Sequence, residues 1–196
     1  MLDTAQVSTT DRRPVMALVP WDSGFRAWDP HDSTTGETWH PRGARLLTLN
    51  GSPQDLEREL IKGLNQHQLA GIILVGRSLD KGTIHIQMRA ENRLPGSSER
   101  ADALAAGVVR STLTTSEILR DLADEQLSAR AVSTAENDVG SHLLFRILAQ
   151  MPHDGATPPV GLIRLPRDMG PEQVNQAIRI VATSVSRHLP VLGPAA

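Results

Sequence analysis

The chain has no cysteine and no tyrosine, and its aromatic residues make up only 3% of 196 positions. Without thiols it forms no disulfide and offers no thiolate to a metal or a substrate. So few rings leave no stacking platform for bases. Charge of either sign is scarce in net terms: 20 Lys and Arg stand against 22 Asp and Glu, a balance of −2. That is too little field to gather nucleic acid or an anionic membrane surface. No apolar run approaches the roughly 20 residues that span a bilayer. Residues 1–13 are polar and lack an apolar signal core. A cytoplasmic protein is expected, with a flexible tail over 1–13 and a single domain over 14–196. Seven histidines are scattered with no i,i+4 pair on a helix, so no metal site and no cofactor is expected.

What the chain does have is alternation of strand-like and helix-like segments. VMALV (Val15–Val19), closed by Pro20, reads as a strand, as does Ala44–Leu49. Between them, residues 21–43 are rich in Gly, Pro, Asp, Thr and Trp and read as a long loop, a length usually kept for function or motion. Its tryptophans, Trp21, Trp28 and Trp39, suit either a lid or partner surface or core anchors for the loop. Ser52-Pro53-Gln54-Asp55 opens a helix: Ser52 can cap, Pro53 fits the first helical position, and Asp55 favours the first turn. Leu56, Leu60 and Leu64 then repeat down one face.

LAGIILV (Leu69–Val75) is continuously apolar, as a strand covered on both faces requires. TIHIQMR (Thr83–Arg89) instead alternates, with Ile84, Ile86 and Met88 on one face and Thr83, His85, Gln87 and Arg89 on the other. Residues 91–107 read as loop or short helix. Helices follow over Thr115–Leu127, Val139–Met151 and from Pro171 through Val185, with strands over Ala129–Ser133 and Val160–Leu165. The order predicts an α/β fold, a sheet sandwiched by helices in three α/β/α layers.

Short motifs recur in a recognisable order. Gly76-Arg77-Ser78 follows a strand, and Glu91-Asn92-Arg93-Leu94-Pro95 comes later. Ser111-Thr112-Leu113-Thr114 precedes a helix, Asp138–Phe145 opens another, and Leu162-Ile163-Arg164-Leu165-Pro166 closes a strand. In this order and spacing the chain, over roughly Pro14–Leu189, resembles the pyroglutamyl peptidase I (pyrrolidone-carboxylate peptidase) family. The resemblance implies that family's phosphorylase/hydrolase-like mixed sheet and makes a homo-oligomer plausible. The family acts through a cysteine, a histidine and a glutamate. Aligned without gaps, those positions fall on Leu144, Arg164 and Thr83. The family's aromatic substrate loop has a loose counterpart in Trp21–Trp28.

Leucine has no nucleophilic atom, arginine stays protonated and cannot act as a base, and threonine cannot replace a carboxylate that orients an imidazole. A working cysteine peptidase is therefore excluded, and no catalytic residue is assigned at the family positions. Two function classes stay open. One is a catalytically inactive pseudoenzyme that binds a small anionic ligand or a protein partner, with Arg77, His85, His142 and Arg164 as candidate ligand-binding residues. Arg77 and Arg164 would face an anion together, unless each satisfies local carbonyls or carboxylates. The other is an active hydrolase with relocated groups drawn from His85, His142, Ser141 and Asp138. Asp138 and Ser141 also suit a helix cap, and adjacent helical residues such as Ser141 and His142 diverge by about 100°.

Overall fold

A computed structural model of the chain describes residues 11, 13–22, 28–32, 35–151 and 157–189. Most of the tail expected over 1–13 lies outside the described residues. Asp11 and Arg13 are described, and they pair with each other at 2.7 Å, with Arg45 at 3.6 Å from Asp11.

The elements in chain order are β1 (Val15–Pro20), β2 (Arg45–Thr48), α1 (Pro53–Asn65), β3 (Gly71–Ser78), β4 (Ile84–Gln87), β5 (Arg89–Glu91), β6 (Val108–Arg110), α2 (Thr115–Asp124), β7 (Ala129–Val132), α3 (Val139–Ala149), β8 (Val160–Pro166) and α4 (Pro171–Ser186). Six strands form a mixed sheet in the order β2-β1-β3-β8-β4-β7. Its pairings are parallel except β4 against β8, where His85 stands opposite Arg164. β5 and β6 make a separate antiparallel pair.

The central strands alternate between two cores. Ala17, Val19, Ile72, Leu74, Val160 and Leu162 face α1 and α3, while Met16, Leu18, Ile73, Val75, Ile163 and Leu165 face α2 and α4. The three-layer α/β/α sandwich expected from the sequence is thus present. Helix α1 starts as its residues require: Ser52 Oγ accepts from the Asp55 N–H at 3.2 Å, with Pro53 in the first turn. Leu56, Leu60 and Leu64 are its buried stripe.

One segment differs from expectation. The alternating run Thr83–Arg89 is not one strand. The chain leaves the main sheet at Met88, which is exposed rather than packed beside Ile84 and Ile86, and Arg89–Glu91 joins β6 instead. The segment between β5 and β6 is loop, organised by Asn92. That buried side chain donates to Asp102 O at 2.6 Å and accepts from Asp102 N–H at 2.9 Å. Of the long 21–43 loop, Trp28 is buried in the core and its Nε1 donates to Thr48 Oγ1 at 3.4 Å, while Trp39 lies under Arg179. Both anchor the loop.

Leu60 is fully buried between α1 and the sheet. Leu60→Ala is expected to cost about 2–5 kcal/mol through lost burial and a residual cavity. Urea unfolding should show a lower midpoint with an unchanged slope.

Candidate functional site

The strand end of β8 carries an arginine where the neighbouring positions carry leucine and isoleucine. Arg164 is 1% exposed, so its five donors need partners inside the protein. They find them on three other elements. Nη1 donates to Asp138 Oδ2 at 2.6 Å and Nη2 to Asp138 Oδ1 at 2.8 Å, a two-pronged ion pair. Nε and Nη2 each donate to Gln87 Oε1 at 3.3 Å, and Nη2 also donates to Ser141 Oγ at 2.9 Å. Ser141 Oγ in turn donates to Gln87 Oε1 at 3.2 Å. Glu136 brings a second carboxylate to 3.4 Å from Nη1.

Local structure makes this convergence possible. Asp138 is the N-cap of α3, its Oδ1 accepting from the Ser141 N–H at 2.9 Å. That fixes the carboxylate and places Ser141 in the first turn. Gln87 ends β4 on the same face as His85, the register partner of Arg164. Above the guanidinium lies Trp21, directly after β1, with its ring centroid 5.5 Å from the Arg164 carbon. Glu136 is desolvated here, which pushes its pKa up; Arg164 opposes the shift and Asp138 adds to it. Beside this network is a small cavity of about 20 Å³, lined by Glu91, Arg93, Glu136, Asp138, Ser141 and His142 among others, with room for about one water molecule.

The anion site expected from Arg77 and Arg164 is corrected by this geometry. Arg164 aligns with Gly76, and Arg77 with Leu165. The side-chain period of two therefore sends the two arginines to opposite faces of the sheet. The fork of Arg164 is filled by Asp138, and Arg77 Nη1 donates to Pro166 O at 3.2 Å. Leu144 and Thr83, the other two ungapped family positions, make no hydrogen bond to Arg164 among the described residues. Leu144 lies in the second turn of α3, fully buried in the core, and Thr83 sits before β4 with its Oγ1 3.4 Å from Ser128 Oγ. The residues that meet Arg164 are Gln87 and Ser141. Gln87 lies four places along the same strand face from Thr83, and Ser141 about one helical turn before Leu144. The sequence did mark Ser141 and Asp138 as cap residues, but nothing local in it linked them to Arg164.

Neither His142 nor His85 is hydrogen-bonded to the Ser141 hydroxyl among the described residues. His142 Nδ1 lies 3.0 Å from Arg93 O, away from the Ser141 hydroxyl bonds. His85 is buried, and Arg130 Nε donates to its Nε2 at 3.0 Å. An arginine N–H is always a donor, so the ring proton sits on Nδ1, facing Ser78 Oγ at 3.4 Å. In that tautomer His85 cannot take a proton from Ser78. Asp138, the remaining candidate, is committed to Arg164 and to the Ser141 amide. The described residues hold no group of three or more His, Asp or Glu arranged for a metal ion.

Two outcomes follow. Arg164→Met leaves Asp138 and Gln87 facing each other without their cation and is expected to cost about 3–5 kcal/mol, read by denaturant titration. Burial first, then Arg130, lowers the His85 pKa. The unfolded chain therefore takes up this proton near pH 6.5 while the folded chain resists it. Stability from His85 is complete above about pH 6.5 and is lost as pH falls toward the folded value. His85→Gln should flatten that acid-side decline in Tm; an unchanged decline would assign it to other groups, such as His40, also lowered by burial.

Comparison with known proteins gives a likeness of structure only. No family model and no curated protein matches the sequence. Pyroglutamyl peptidase I from Bacillus amyloliquefaciens superposes with a TM-score of 0.72 at 16% identity, covering 91% of this chain and 97% of that one. The pyrrolidone carboxyl peptidase from Thermococcus litoralis gives 0.70 at 18%, covering 89% and 93%. The enzyme from Thermus thermophilus gives 0.70 at 14%, covering 87% and 99%. Over nearly its whole length, the chain has the fold of pyroglutamyl peptidase I.

Proposed function

We propose that this protein is a non-catalytic member of the pyroglutamyl peptidase fold that acts by binding, as a pseudoenzyme. The observation that carries the reading is the closed network around Arg164. At the strand end where the resemblance implies a catalytic histidine, a permanent cation is locked to Asp138, Gln87 and Ser141. Nucleophilic catalysis needs a nucleophile and a base within hydrogen-bond reach. Ser141 has a carboxamide oxygen and a guanidinium as neighbours, and neither can accept its proton.

The partner is proposed to be a small ligand or another protein, engaged at the carboxyl ends of the central strands. An anion is disfavoured there. The single charge of Arg164 is matched by Asp138, and Glu136 adds a further carboxylate. Membrane insertion is not part of the reading: no helix among the described residues is long and apolar enough to cross a bilayer.

The purified protein is expected to release no reporter from a pyroglutamyl-coupled substrate above the blank, and Ser141→Ala should leave that result unchanged. Turnover that persists through purification and is abolished by Ser141→Ala, with the circular dichroism spectrum intact, would overturn the proposal.

A further inference from the structure

Trp21 fills a slot that two glycines leave open. A Cβ built on Gly76 would approach the indole to 2.3 Å, and one on Gly140 to 2.4 Å. Any side chain at either position must therefore displace the ring. The slot lies at the carboxyl ends of β1, β3 and β8, against the first turn of α3, the region where open α/β sheets take their ligands. Arg164 covers one face of the ring at 5.5 Å, a favourable cation–π stacking.

The present occupant fits the shape but not the polarity of the slot. Trp21 Nε1 is buried and has no hydrogen-bond partner among the described residues. Burying a donor without an acceptor disfavours the closed arrangement. A ring without an N–H would keep the stacking on Arg164 and the fit between the glycines, and would leave no orphaned donor. We infer that the slot between Gly76 and Gly140 is a binding site for a phenyl ring, and that Trp21 is its occupant in cis. The inference rests on the binding-protein reading above and names the ligand chemistry for that end of the sheet. The ring comes either from a small phenyl compound or from a phenylalanine side chain of a peptide.

Fluorine NMR with two probes, 4-fluorotoluene and N-acetyl-4-fluorophenylalaninamide, tests it on the full chain. Trp21→Ala empties the slot and should bind at least one probe saturably. The wild type should bind at least about tenfold more weakly, because apparent affinity scales with the fraction of time the slot is open. Adding Gly140→Val to Trp21→Ala refills the slot and should abolish binding. Tighter binding of the amide assigns the site to a peptide, and equal binding assigns it to a free ring.

A folded Trp21→Ala that binds neither probe, or binding that survives Gly140→Val, overturns the inference. Should Trp21→Ala fail to fold, Gly140→Ala in a Trp28→Phe, Trp39→Phe background provides the decision. Its Cβ must push the indole toward water and shift Trp21 emission to the red, and an unshifted spectrum overturns the inference equally. Turnover is no part of these readouts, so failure here leaves the non-catalytic reading standing, and activity in the reporter assay leaves a measured ring affinity intact.

Discussion

The rest of this site depends on one constraint: a charge that cannot be neutralised is buried at the end of β8. A guanidinium keeps its proton at any physiological pH, and with Arg164 1% exposed water cannot solvate it. The protein must supply the solvation, and it draws it from β4 through Gln87, from the cap of α3 through Asp138 and Ser141, and from the segment after β1 through Trp21. These elements are distant in sequence. At the carboxyl edge of the sheet they meet around one side chain.

Acyl transfer sets a different demand on a strand end. Cleaving an amide demands groups that exchange protons near neutrality, and such groups need access to solvent or substrate. Around Arg164, Asp138, Gln87 and Ser141 are held in donor–acceptor pairs, Glu136 is a titratable carboxylate beside them whose pKa burial pushes up, and the adjoining cavity holds about 20 Å³. Pairing of these groups rigidifies the strand end.

The sequence disclosed those cores well. LAGIILV and Val160–Leu165 read as buried strands because both faces are covered, and the caps of α1 and α3 were visible in Ser52 and Asp138. Three things were hidden. β5 and β6 are three residues each, too short for periodicity to register, so the exit of the chain at Met88 could not be read from TIHIQMR. The partners of Arg164 were hidden because an antiparallel register between β4 and β8 decides them. The Trp21 slot was hidden because glycines signal it by the atoms they lack.

Asp138 holds two posts with one carboxylate, closing the first turn of α3 and neutralising Arg164. The start of a helix ordinarily frays ahead of the body, since few contacts restrain it. Here fraying would strip a buried guanidinium of its counter-ion, so the small local motion carries the penalty of a much larger one. The Ser141 amide, bonded to that same carboxylate, is therefore tied through one residue to Arg164 and the end of β8.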